Sequence, residues 1–136
     1  MATFQLELVS PEKLLLSRAV EMVVLPAAEG EMGVLPGHAP MIVTLRGGTI
    51  RVIEGGRDAE RLFVVGGFAE VTPERVTILA DEATPLADLS KTEAGRRVAE
   101  AEAAYAATAM DTPEKRDAAM ANLLAMRVMR DVAEAA

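Results

Sequence analysis

The 136-residue sequence contains no cysteine and no tryptophan, and it has a single histidine, His38. Without cysteine the chain cannot form disulfides, thiolate metal sites or a cysteine nucleophile. One histidine cannot build a histidine-rich metal site, and it leaves only one candidate base for a serine hydrolase. These absences leave little chemistry to the chain itself, and we expect no metal site.

Basic residues, aromatic residues and long apolar runs are also scarce. The chain carries 14 basic and 21 acidic residues, a formal charge of −7, whereas sequence-independent nucleic-acid binding needs a basic face. Its three phenylalanines and one tyrosine are too few for a base-stacking platform. The longest apolar run, residues 22–28, is far too short to span a bilayer, and no secretory signal is visible. The sequence therefore predicts a soluble protein of a reducing compartment that does not bind nucleic acid.

The residue types that favour strands and helices divide near Pro85. All four isoleucines and eleven of the fourteen valines precede Pro85, whereas sixteen of the twenty-five alanines follow it. β-branched residues suit strands, and alanine has the highest helix propensity. The sequence predicts an N-terminal antiparallel β-sandwich of about eight to ten short strands, residues 1–86. An antiparallel two-helix hairpin, residues 87–136, is expected to follow it.

Alternating apolar residues between glycine and proline turns locate the strands. The predicted strands are residues 4–8, 20–25, 41–45, 50–54, 62–65, 68–71 and 76–80. Pro26 is expected to end the second of these strands.

Helix boundaries in the second part have clear capping signals. Ser90 and Glu93 match a capping box, and Thr112 followed by Pro113 is typical of a second helix start. Helical spacing gives the predicted buried face of the first helix as Ala94, Val98, Ala101, Tyr105 and Thr108. For the second helix it gives Ala121, Leu124, Val128 and Val132, widened by Met120, Leu123 and Met126. Such alanine-rich faces bury little area, so we expect a lightly docked hairpin.

The segment 29–38 is the strongest candidate for function. It lacks the lysine of a phosphate-binding loop and the glycine spacing of a dinucleotide fold. In extended chain Glu29 and Glu31 point to one side, which suits acid–base work, weak calcium binding or simply a solvated loop. Three interpretations remain open from the residues alone: a contact module, a free-standing ligand-binding sandwich, and a small hydrolase that uses His38.

The twelve residues 29–40, Glu-Gly-Glu-Met-Gly-Val-Leu-Pro-Gly-His-Ala-Pro, closely resemble the signature of the epsilon subunit of bacterial F-type ATP synthase. Residues 8–12 resemble the opening strand of that family, and residues 66–71 and 76–81 resemble its closing hairpin. The resemblance covers residues 3–85 strongly, and the second part matches in kind.

This resemblance implies a rotor subunit that couples rotation of the c ring to the catalytic head and performs no chemistry itself. It implies the gamma subunit and the c ring as partners, with alpha and beta subunits within reach of the hairpin. The chain would lie peripherally at the cytoplasmic face of the bacterial inner membrane and touch the membrane only through the complex.

The resemblance also implies which residues make these contacts. The c-ring contact would consist of Glu29, Gly30, Glu31, Met32 and Gly33. The gamma contact would consist of Ser10, His38, Ala39, Met41, Ile42 and Val43. Because the c-ring loops of the family carry basic residues, an acidic tip suits that contact.

Some members of the family bind ATP through an Asp-x-x-Arg-Ala motif at the start of the first helix. Asp88 matches this motif, but Lys91 and Thr92 replace the arginine and the alanine. Lysine cannot reproduce the two-pronged contact of arginine with phosphate. The expectation is therefore no cofactor, with at most a weak nucleotide contact through Asp88, Lys91, Arg127 and Arg130.

Overall fold

The computed structural model describes residues 2–135, where ten β-strands precede two α-helices. The strands are β1 Phe4–Val9, β2 Leu14–Val20, β3 Met22–Ala27, β4 Gly30–Val34, β5 Met41–Leu45, β6 Gly48–Glu54, β7 Arg57–Val64, β8 Gly67–Val71, β9 Arg75–Ala80 and β10 Ala83–Pro85. A 3-10 turn, Leu86–Asp88, leads to helices α1 Lys91–Ala106 and α2 Pro113–Ala135. The predicted fold class, a β-sandwich followed by a helical hairpin, is confirmed.

The strands follow one hydrogen-bonded path that turns back on itself. Their order is β10-β7-β6-β3-β5-β8-β9-β1-β2, and β4 pairs with β3. The path turns where β3 and β5 share one residue pair, Ala27 with Leu45. Arg18 of β2 forms ion pairs with Glu54 and, at 3.5 Å, Glu60, which link the far end of the path to β6 and β7. The path therefore closes into a sandwich with an ion-paired seam.

Several details of the strands differ from the prediction. Strands β2, β4 and β10 have no counterpart among the predicted ones, and β1 and β9 pair in parallel, whereas antiparallel pairing was expected. Pro26 lies inside β3, opposite Glu31 of β4, so the prediction that it ends the strand is wrong. Because β6 pairs with β3 only at residues 22–24, the proline interrupts no ladder on that side.

The interior of the sandwich is apolar. Its fully buried large side chains include Leu6, Leu8, Leu25, Ile50 and Ile78. Within residues 2–135 no polar or charged side chain is buried. Candidate functional groups must therefore be sought on the surface.

The predicted starts of both helices are confirmed, although only the serine half of the capping box forms. The hydroxyl of Ser90 accepts a hydrogen bond from the backbone N–H of Glu93 at 3.2 Å, and α2 begins at Pro113 after Thr112. The Glu93 side chain pairs with Arg96 instead of closing the capping box, and this hydrogen bond lowers the pKa of Glu93. Neither helix is long and apolar enough to cross a membrane.

The two helices bury different amounts of their predicted faces. Ala94, Val98 and Ala101 of α1 are buried, as predicted. On α2 the prediction is wrong for Ala121 and Leu124, which are exposed, and it is confirmed for Leu123 and Met126, which are buried. Met120, Val128 and Val132 are partly buried against the hairpin cluster. The buried residues of α2 that the prediction lacked are Ala125, Met129 and Ala133.

The hairpin docks on the sandwich through apolar packing, an ion pair and a close backbone approach. Phe63 of β7, only 1% exposed, packs into the apolar cluster of the hairpin. Arg97 of α1 donates hydrogen bonds to the carboxylate of Glu82, one of them at 3.2 Å. Gly47 lies so close to α2 that a Cβ atom there would be 2.6 Å from the Cα of Ala125. Few groups hold the hairpin, and each of them can be tested separately.

Candidate functional site

The β3–β4 hairpin presents an acidic tip, defined here as residues 29–31. Ala27 pairs with Gly30, which leaves Ala28 and Glu29 in the connecting turn. Both Glu29 and Glu31 are exposed, but only Glu31 lies on a strand. The expected alignment of the two carboxylates along one extended segment is therefore wrong. The tip carries two carboxylates that face solvent from a turn and a strand.

Strand β5 alternates between the core and the surface. Val43 and Leu45 are buried, whereas Ile42 is 72% exposed and Thr44 is also exposed. Met41, at the start of the strand, is exposed as well. The Val43 side chain therefore packs in the core, and Met41 and Ile42 are the side chains that a partner can reach.

The acidic tip and β5 share one groove. A depression of about 500 Å³, here called the tip groove, is lined by residues 27–32 and 41–44. Ala28 donates its backbone N–H to the carbonyl of Thr44 at 2.9 Å and joins the two walls. The structure thus brings together the residues expected to contact the c ring and part of those expected to contact gamma.

An exposed apolar face extends from β5 across β8 and β9. Thr44 pairs with Phe68, which pairs with Leu79, and Ile42 is on the same face one repeat further along. Phe68 is 47% exposed, and Leu79 is also among the exposed large apolar residues. This face, formed by Ile42, Thr44, Phe68, Glu70 and Leu79, is called the sheet surface below. An exposed apolar patch of this kind marks a protein interaction site.

The predicted contact residues do not include Phe68 or Leu79, although the sequence contains a signal for Phe68. In β8 the buried Ala69 and Val71 alternate with the exposed Phe68 and Glu70. This alternation places an aromatic side chain on the solvent-facing side of the strand. A phenylalanine that alternates with core residues on a half-buried strand is itself a sign of a contact surface.

The structure separates Ser10 from His38. The backbone N–H of Gly37, beside His38, donates to the carbonyl of Pro73, just before β9 begins. Ser10 follows β1, whose last residue is opposite Leu79 near the end of β9. About 17 Å of strand separates these two ends. Ser10 and His38 therefore do not belong to one compact patch, and they do not form a nucleophile–base pair.

The hydrogen bonding of His38 is that of a loop residue. Its Nδ1 donates to the carbonyl of the neighbouring Ala39 at 2.9 Å. Among the described residues no carboxylate or hydroxyl is hydrogen-bonded to the ring, so nothing orients it as a general base. Within residues 2–135 no group of three or more acidic or histidine side chains is arranged to hold a metal ion.

The four residues considered for nucleotide contact are dispersed. Asp88 ends the 3-10 turn, and Lys91 begins α1. Arg127 lines a groove between α2 and the sandwich that includes neither of these residues. Arg130 is half-buried and lies 3.8 Å from Asp131. The docked hairpin therefore does not gather them around one cavity.

Comparison with known sequences gives consistent matches. Residues 3–86 match the family model described as ATP synthase, Delta/Epsilon chain, beta-sandwich domain. The chain is 60% identical over 133 residues to the ATP synthase epsilon chain of Granulibacter bethesdensis, with 98% of each chain covered. It is 49% identical over 123 residues to that of Rhodospirillum rubrum, which covers 90% of this chain and 91% of the relative.

Solved structures show the same architecture. A chain of the Euglena gracilis mitochondrial ATP synthase (OSCP/F1/c-ring, rotational state 1) superposes with a TM-score of 0.74 and 27% identity. The match covers 96% of this chain and 81% of that chain. A chain from the central stalk and c-ring of the Tetrahymena thermophila mitochondrial enzyme has a TM-score of 0.66 at 12% identity, which indicates a shared fold.

Proposed function

The chain belongs to the family of ATP synthase epsilon chains, and on that premise we propose how its surface is divided between its partners. It is a central-stalk subunit of the rotor, and its partners are the gamma subunit and the c ring. It is a peripheral part of a membrane-bound complex. We propose further that it is not catalytic and that it works at the cytoplasmic face of a bacterial inner membrane.

The sheet surface is the proposed gamma contact. The observation that carries this proposal is an exposed apolar face on three adjacent strands, with Ile42 and Phe68 at its centre. Burial against a partner stabilises such side chains by roughly 25 cal/mol per Å² of apolar area. Of the residues suggested by the resemblance, Ile42 belongs to this contact directly. Met41, His38 and Ala39 precede Ile42 in the chain and border the contact. Val43 contributes through the core, and Ser10 lies apart.

The acidic tip is the proposed c-ring contact. Glu29 and Glu31 supply negative charge, and Gly30 allows the backbone to turn between them with a φ of +139°. Met32 is half-buried against the sandwich and Gly33 pairs with Val24 of β3, so both support the tip. A charged, exposed tip on a rigid hairpin suits recognition of a polar surface of opposite charge.

Charge reversal at the tip tests this division. Glu31→Lys is expected to reduce ATP-driven proton pumping in reconstituted complexes, because it opposes a basic ring surface. The stability of the isolated chain should change by less than about 0.5 kcal/mol, since Glu31 is exposed. Glu102→Lys, an equally exposed reversal on α1, is the control and should leave pumping unchanged. Normal pumping per ATP hydrolysed with Glu31→Lys would remove Glu31 from the interface.

We propose that residues 1–86 and 87–136 are separate folding units. The sandwich has an apolar core of its own. Phe63 is the fully buried residue that the sandwich contributes to the separate apolar cluster of the hairpin. A chain ending at residue 86 should fold and bind gamma through Ile42 and Phe68. Its unfolding temperature should fall by several degrees, because uncovering Phe63 costs roughly 1.5–3 kcal/mol.

Circular dichroism melting and gamma binding measure the result. Phe63→Thr in the truncated chain removes the aromatic ring that truncation uncovers. This variant should remain folded and should self-associate less than the truncated chain with Phe63. A truncated chain without a cooperative β-sheet transition would show that the hairpin is part of the sandwich fold and that the boundary is wrong.

A further inference from the structure

A second groove, about 900 Å³ in volume, lies between α2 and the sandwich. Its sandwich wall includes Thr44 and Phe68, and its helix wall includes Ala121, Leu124 and Val128. This depression is called the hairpin groove below. Leu124 and Arg127 of its lining are exposed, so a segment of a partner can reach the groove from solvent.

Helix α2 has two apolar stripes, and only one of them is fully buried inside the chain. Leu123 and Met126 pack against α1 and the sandwich. Ala121, Leu124 and Val128 follow helical spacing on a different stripe. Val128 packs partly against the hairpin cluster, whereas Ala121 is exposed and Leu124 is 51% exposed. The second stripe, which the sequence pattern assigned to the core, therefore faces the hairpin groove.

The hairpin groove continues the surfaces already assigned to partners. Ala28 and Thr44 line both the tip groove and the hairpin groove. Phe68 belongs both to the sheet surface and to the hairpin groove. One continuous trough therefore runs from the acidic tip past the sheet surface to α2.

We propose that an apolar segment of the gamma subunit lies across this trough and contacts Leu124 of α2 together with Phe68 of the sheet. This inference rests on the proposed function, because it extends the gamma contact from the sandwich to the hairpin. Arg46, Arg127, Asp81 and Asp131 also line the hairpin groove. An apolar centre with a polar rim of both signs is the arrangement of a protein–protein interface.

The contact has a regulatory consequence. The hairpin groove exists only while α2 is docked on the sandwich, so gamma can make the full contact only with the docked form. By linkage, docking raises the affinity for gamma by the same factor by which gamma favours docking. The gamma subunit thus holds the hairpin against the sandwich.

Binding of the full-length chain to purified gamma tests the proposal. Leu124→Gln removes the groove contact, and glutamine is a good helix former, so α2 should persist. Leu14→Gln is the matched control, because Leu14 on β2 is 56% exposed and lies outside the trough. Phe68→Gln tests the sheet surface separately. We expect Leu124→Gln and Phe68→Gln each to weaken binding by about fivefold or more, and Leu14→Gln by less than about twofold.

The outcomes separate this inference from the proposed function. If Phe68→Gln weakens binding and Leu124→Gln does not, gamma stops at the sheet surface and the inference is overturned. If neither variant weakens binding, the proposed gamma contact itself is wrong. Sedimentation of the free chain tests whether a second copy of the chain occupies the groove instead. A dimer that Leu124→Gln dissociates would assign the groove to that second copy and overturn the inference. Gamma should also slow hydrogen exchange of the α2 amides, and unchanged exchange would contradict the linkage.

Discussion

Replacing Gly67 by alanine is expected to lower the free energy of unfolding of the sandwich by roughly 2–6 kcal/mol. Gly67 has a φ of +130°, and a Cβ atom there would be 2.1 Å from the carbonyl oxygen of Leu79 and 3.0 Å from the Cα of Ala80. Both atoms belong to the backbone of β9, which is paired with β8 and cannot rotate away. Backbone strain and overpacking therefore add, each costing roughly 1–3 kcal/mol.

Thermal unfolding measures this effect and separates its two parts. The melting temperature of Gly67→Ala should fall by about 10 °C or more. Gly30→Ala is the control for strain alone, because Gly30 has a φ of +139° and no atom within 4 Å of the added Cβ. Gly95→Ala, in the open on α1, should be neutral or slightly stabilising. Equal melting temperatures for Gly67→Ala and Gly30→Ala would show that β9 can move aside.

Local sequence patterns predicted the elements with regular alternation and failed where alternation is weak. β9 and β6 alternate buried and exposed residues, and both were predicted. β4 contains two glycines in five residues, and β2 begins with three consecutive leucines, so neither has a period of two. The parallel pairing of β1 with β9 joins segments about seventy residues apart, and no local pattern encodes it.

The candidate site was predicted only where a local sequence pattern marks it. The motif around Glu31 was found because its glycines and charges stand out in the sequence. The prediction of the sheet surface was incomplete because its residues come from three strands. Only the register of these strands brings Ile42 near Phe68. On α2 the period was correct, but the centre of the predicted face lay too far toward Ala121 and Leu124, which are exposed. With two apolar stripes on one helix, periodicity cannot decide which one faces the core.

Replacing Gly47 by valine is expected to release the hairpin while the sandwich stays folded. A Cβ atom at position 47 would be 2.6 Å from both the Cα and the Cβ of Ala125 on α2. Gly47 lies between β5 and β6 and is fixed by the sheet, whereas α2 is attached through a short connection and can move as a unit. The steric conflict should therefore displace the helix.

The docking free energy of the hairpin is small enough for the steric cost of Gly47→Val to release it. Burial of Phe63 contributes roughly 1.5–3 kcal/mol to docking, and the partly exposed Arg97–Glu82 pair adds about 0–1 kcal/mol. Inserting the valine side chain into a filled contact costs roughly 1–3 kcal/mol. Because the cost and the docking energy are of the same size, the docked form should lose its dominance, and a released form should become comparably populated.

The absence of cysteine makes the displacement measurable, because two introduced cysteines can be labelled without competition. Spin labels at Glu74→Cys on the sandwich and Asp117→Cys on α2, both exposed, should give one narrow distance in the parent chain. Gly47→Val should give a broad distribution at longer distances, whereas Ala19→Val, an exposed change on β2, should not. Since the hairpin groove requires a docked α2, Gly47→Val should also weaken gamma binding about as much as Leu124→Gln. A narrow, unshifted distance with Gly47→Val would show that α2 adapts in place and that Gly47 does not control docking.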